Sequence, residues 1–188
     1  MLKWIVGTVV GVLLGLAGYF SVYLGAFKPV QVLEVQHKGL QILYLEHIGA
    51  YHKITPTIEQ VETWVRAQGL KCDRSFSQFF DDPRKVEEGR LRAKGGCIWG
   101  DDVGVPRLSM DILEKIKPPP GFIFAEIPEG KALKAIFEGS PAIGPSKVYS
   151  KAEDYFSEKP LQRGDYVLEV YEIKSQKAMT TTYFFPFQ

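Results

Sequence analysis

From Trp4 to Phe27 the chain runs for 24 residues without a charge, and beyond Lys28 the pattern breaks into short alternating segments. As a helix at ~1.5 Å per residue, the first run exceeds the ~30 Å hydrocarbon layer of a bilayer. It reads as an N-terminal membrane helix. Trp4 at one end and Tyr19, Phe20 and Tyr23 toward the other suit the two interfaces. A cleaved signal peptide is the competing reading. Its apolar core normally spans ~7–15 residues, whereas here apolar and aromatic residues continue past Gly15-Leu16-Ala17. Lys28-Pro29 is expected to end the helix, because proline cannot continue it.

The remaining pattern predicts strands and two main helices. Val30–Gln36 and Gln41–His47 alternate as strands and lead into the turn Ile48-Gly49-Ala50-Tyr51. Thr55-Pro56-Thr57-Ile58-Glu59 starts a helix that continues through Val61, Trp64 and Val65 and stops at Gly69. Ser75–Phe80 and Arg90–Trp99 read as strands around Asp81-Asp82-Pro83, which we take as a turn, not an acidic dyad. A short helix is expected over Ser109–Lys117, before the stiff Pro118-Pro119-Pro120. Strands follow at Phe122–Ile127 and Ala132–Glu138, a helix at Lys147–Phe156, and strands at Tyr166–Ile173 and Met179–Phe187.

The two halves share this order. Leu43–Gly49 answers Leu133–Gly139, and Phe79-Phe80-Asp81 answers Val170-Tyr171-Glu172. The reading is an α+β chain with an anchor at 1–28 and one domain at 29–188, built of pattern repeats at about 30–100 and 121–188. Two such units can join their sheets into one curved sheet with both helices on one face. The other face must then be covered or serve as a cleft.

A net charge of +1 carries no electrostatic footprint for nucleic acid. His37, His47 and His52 are not joined to a cysteine pair at zinc spacing, so neither a metal nor a cofactor is expected. Cys72 and Cys97 are read first as separate thiols, with a disulfide open to them in an oxidising compartment. Gly7, Gly11, Gly15 and Gly18 share one face of the apolar helix, where a second copy could approach closely. Lys3 and the short N-terminal tail weakly favour a cytoplasmic N-terminus and an external, or periplasmic, domain.

His47-Ile48-Gly49-Ala50-Tyr51, then Trp64-Val65, then Phe79-Phe80-Asp81-Asp82-Pro83 resemble the GyrI-like small-molecule-binding domain, which is also the effector-binding half of AraC- and MerR-type regulators. Phe137–Pro141, Tyr155-Phe156 and Glu169-Val170-Tyr171 extend the resemblance over roughly Val30 to Phe187. It implies a duplicated βαββ unit of the SHS2 type, with eight antiparallel strands and two helices. It also implies a central cleft for hydrophobic, often cationic, compounds, with a glutamate of a Glu-x-Tyr element inside it. Some family members hydrolyse strained cyclopropane-bearing compounds with that glutamate. The anchored layout is similar to the testis-expressed ER-phagy receptors, but the chain stops at Gln188 without their C-terminal tail. Receptor function is therefore not expected to carry over.

Strand alternation sets Val167, Glu169 and Tyr171 on one face. Aligning Phe80 with Tyr171 places Gln78 opposite Glu169, and Tyr51, Trp99 and Tyr183 are looser wall candidates. A carboxylate floor with aromatic walls fits amphipathic cations and, given a water in reach, general-base chemistry. The expected partners are thus a small amphipathic molecule and, through residues 4–27, membrane lipid. The alternatives are a hydrolase using Glu169, or a membrane adaptor with a vestigial cleft.

Overall fold

The computed structural model describes residues 2–140, 142–175 and 178–188. Helix α1 (Leu2–Tyr23) stands exposed along nearly its whole length and is long and apolar enough to cross a membrane. Its 22 residues rise about 33 Å. It ends before Lys28-Pro29, at Gly25, whose φ of 80° is open to glycine and strained for other residues. Gly25 N donates to Val22 O and Ala26 N to Ser21 O, a Schellman motif that satisfies the last carbonyls of the helix. The expected stop was therefore four residues too late, because proline blocks a helix that glycine had already turned. The chain then rests on the domain. Ser140 N donates to Leu24 O at 3.0 Å, and the Lys147 ammonium donates to Ala26 O at 2.6 Å and to Lys28 O.

Eight strands make one sheet: β1 (Gln31–His37), β2 (Leu40–Ile48), β3 (Ser75–Phe79), β4 (Arg92–Trp99), β5 (Ile123–Ile127), β6 (Gly130–Glu138), β7 (Val167–Ser175) and β8 (Ala178–Pro186). The order is β1-β6-β8-β7-β3-β4-β2-β5, with every neighbouring pair antiparallel. The first strand of the chain thus pairs with β6 from the later half, and β5 pairs back with β2. Gly49 ends β2 at a φ of 132°, which only glycine adopts freely.

Helix α2 (Thr55–Ala67) packs on β2, β4 and β3, and helix α4 (Gly144–Glu158) on β6 and β8. Both lie on one face of the sheet. Ile58 of α2 sits over Gly95, where an added Cβ would come within 2.9 Å of its Cγ1. Gly144 lets the start of α4 settle on Phe137 and Tyr183. Burying Ile58, Val61 and Val65 contributes about 1.5–3 kcal/mol for each side chain. α4 starts three residues before the expected boundary, with Pro145 in its first turn, where proline costs no hydrogen bond. The short α3 (Met110–Lys115) precedes β5.

The helix-free face is largely covered. Leu40, Ile42, Phe76, Ile98, Leu168, Val170 and Phe184 form one buried cluster with Val103 and Val105 from the segment after β4. A cavity of about 250 Å³ remains on that side, lined by Arg74, Lys134, Glu172, Thr180 and Thr182 among others. The cysteines correct the expectation of separate thiols. The loop after α2 brings Cys72 against Cys97 of β4, Cα atoms 5.6 Å apart, and the two form a disulfide.

Candidate functional site

α2 and α4 divide one face of the sheet between them, and β7 runs through the space between. Its alternation turns Val167, Glu169 and Tyr171 toward the helices, and Leu168, Val170 and Glu172 away. Glu169 stands directly opposite Ser77 of β3 on one side and Tyr183 of β8 on the other; Tyr171 stands opposite Ser75 and Thr181. The centre of this face is therefore a patch of one carboxyl, phenols and hydroxyls.

Glu169 is only 5% exposed. Its Oε1 accepts a hydrogen bond from the Tyr149 hydroxyl at 3.2 Å, and its Oε2 one from the Tyr171 hydroxyl at 3.1 Å. Tyr149 reaches down from α4, with its ring edge-on to Phe185 at 5.5 Å and to Tyr183 at 6.3 Å. Tyr149 and Tyr171 are half-buried and form the outer layer over the carboxyl. No described lysine or arginine pairs with Glu169. Burial pushes its pKa up to about 7, against the opposing pull of the two phenol hydrogen bonds. Burial and the neighbouring Glu169 carboxylate raise Tyr149, Tyr171 and Tyr183 as well, so all three phenols stay protonated at neutral pH.

The sequence-predicted residues divide. Glu169, Tyr171 and Tyr183 come together, with Val167 beside them on the same strand face. Gln78 does not join them. It pairs with Leu168 and faces the other side of the sheet, and Phe80 follows it there, 6.3 Å from Tyr166 and beneath Lys94. Ser77 is the residue opposite Glu169, so the alignment of Phe80 with Tyr171 was out by one, which inverts every side chain of the strand. Trp99 is buried in the main core and donates its Nε1 hydrogen to Lys71 O at 3.0 Å, four residues along β4 from the strand position that flanks Ser77. Tyr51 packs on Phe79 at 4.4 Å, in a cluster that Tyr171 also touches, but its hydroxyl is engaged by Asp81 and Arg92. It borders the site without facing Glu169.

Sequence reasoning missed Tyr149, Ser77 and Thr181. Tyr149 carried one readable signal: it follows Val148 on a helix whose buried face is Gly144, Val148 and Ala152. The loop after β3 adds a bridge across the site, since Arg84 pairs with Asp82 at 3.0 Å and reaches Glu153 of α4 at 2.9 Å.

Comparison with known proteins agrees with this architecture. A DNA gyrase inhibitor of Pectobacterium carotovorum subsp. carotovorum (strain PC1) is 35% identical over 57 residues; the match covers 30% of this chain and 37% of that relative. The EcmrR C-terminal domain superposes with a TM-score of 0.58 at 17% identity, covering 85% of this chain and 98% of that one. EcmrR in its complex with DNA gives a TM-score of 0.62 at 12% identity, covering 100% of this chain and 68% of that one. A hydrolase from Listeria innocua gives 0.52 at 11% identity, covering 90% and 98%. These likenesses concern the fold. The model of the GyrI-like small molecule binding domain matches residues 31–187, and the chain belongs to that family.

Proposed function

We propose that this chain is a membrane-tethered receptor for amphipathic cations, bound between α2 and α4 with Glu169 as the counter-charge. The observation that carries the reading is a carboxyl buried among aromatic rings with no cationic partner among the described residues. An isolated carboxylate is costly to hold in such a place. A cationic ligand removes that cost, and the faces of Tyr149, Tyr171 and Tyr183 add cation–π attraction. The family's small-molecule binding and the apolar helix α1 support the same picture. The Cys72–Cys97 disulfide favours an oxidising compartment, and with it a domain on the external side of the membrane.

The test is calorimetric titration of the full chain in non-ionic detergent with 1-naphthylmethylamine and with the neutral 1-naphthalenemethanol. The amine is expected to bind at least ten times more tightly, and Glu169→Gln to abolish the difference. Equal affinities, or a difference that survives the substitution, would sink the reading.

A second reading rests on the same carboxyl. With a pKa of about 7, Glu169 is suited to take a proton from a water that attacks a strained ring. The fold is shared with a protein described as a hydrolase. Incubation with a strained cyclopropane electrophile separates the readings: turnover that vanishes in Glu169→Gln while binding persists marks an enzyme.

A further inference from the structure

Around Glu169 three buried hydroxyl groups have no hydrogen-bond partner among the described residues: Ser77 Oγ, Thr181 Oγ1 and Tyr183 Oη. The residues are 0%, 1% and 0% exposed, so bulk water does not reach them. Ser77 Oγ lies toward the Tyr171 hydroxyl and Thr181 Oγ1 toward that of Tyr183, and each draws its phenol's pKa down against the rise from burial, but neither contact reaches full hydrogen-bond geometry. Their places on the sheet are related. Ser77 and Tyr183 flank Glu169 directly on β3 and β8, and Thr181 flanks Tyr171. All three therefore project to the same side as the carboxyl. Directly opposed side chains stand about 4.5–5.5 Å apart at Cβ and diagonal ones about 7–8 Å.

Buried polar side chains are nearly always paired, so three orphans in one ring need a reason. Each hydroxyl offers lone pairs, and the hydrogens of Tyr149 and Tyr171 are already given to Glu169. The ring already holds three idle O–H hydrogens; what it lacks is a charged donor that the carboxylate and the free lone pairs can share. A protonated primary amine brings three N–H groups and a positive charge on a compact head, enough to serve the carboxylate and two hydroxyls together. A quaternary ammonium brings the same charge and no donor. It leaves the hydroxyls unpaired, and a site built for hydrogen bonds discriminates strongly against such an analogue.

We infer that the Glu169 site selects amphipathic primary amines over quaternary cations of equal charge. This rests on the cation-receptor reading and names its ligand class.

The experiment compares 1-naphthylmethylamine with its N,N,N-trimethyl derivative and with 1-naphthalenemethanol, by calorimetry on the full chain at pH 8. The primary amine is expected to bind at least ten times more tightly than the trimethyl compound. Because the trimethyl head is also bulkier, the same ratio is measured in the double variant Ser77→Ala/Thr181→Val, where it should fall toward one. Tyr183→Phe gives a second handle: it removes an unpaired buried hydroxyl, so it should hold or raise the melting temperature while weakening the amine. Equal binding of the two cations, or a preference that persists in the double variant, overturns the inference and leaves the cation receptor standing. If neither cation exceeds the alcohol, the receptor reading falls, and this inference with it.

Discussion

Glu169 is a carboxyl that folding removes from water, and its titration follows from that. Its folded pKa of about 7 lies above the ordinary 4.5. Between those two values the folded chain keeps a proton that the unfolded chain has released, so stability falls as pH rises through this window. The full loss, reached above pH 7, is roughly 3 kcal/mol. Thermal unfolding between pH 5 and pH 8 should show a melting temperature that declines in the native protein and much less in Glu169→Gln. Parallel curves for the two proteins would refute the assignment. Strand alternation set Glu169 and Tyr171, singled out by the Glu-x-Tyr resemblance, on one face with Val167, and left Tyr183 a looser wall candidate. It could not name Tyr149, whose contact with Glu169 depends on how α4 is laid across the sheet, a matter of tertiary packing. Nor could it fix β3. In Ser75-Phe76-Ser77-Gln78-Phe79-Phe80 both alternating sets contain an aromatic residue, so hydrophobicity does not choose between them. The ladder to β7 makes the choice and brings Ser77 to Glu169.

At the level of elements, the strands and the two main helices were legible from periodicity, since each is long enough to repeat its pattern. Their ends were less so. α1 closes at Gly25, and the signal was the glycine, not the more conspicuous Lys28-Pro29. The disulfide was hidden for a different reason. A separation of 25 residues says nothing about proximity until α2 is folded back over β4 and the loop after it returns to the strand. A cross-link closing a loop of that size restricts the unfolded chain and contributes about 3 kcal/mol. The double variant Cys72→Ser/Cys97→Ser should therefore lose close to that much in denaturant unfolding. A change below about 1 kcal/mol, well under the usual range, would mean that the bond adds little to the fold.

Across the whole molecule, the arrangement of strands ties the early and late parts of the chain together. The sequence pattern showed two similar series of elements, but not that their outer strands would be traded. β1 belongs to the early part and pairs with β6; β5 belongs to the later part and pairs with β2; β3 and β7 join in the middle. Three ladders thus hold together two stretches of chain connected through the segment around Pro118-Pro119-Pro120. The connection can be severed without removing any of the ladders. Separately encoded pieces covering residues 1–117 and 118–188 should find one another during synthesis and purify as a pair that still binds ligand. Neither piece should be soluble alone, since each would leave an unpaired strand where the other belongs. Recovery of the later piece as a folded monomer would contradict this. The exchanged strands make the domain a natural split protein, whose reconstitution can report when two membrane-bound partners carrying the halves come together.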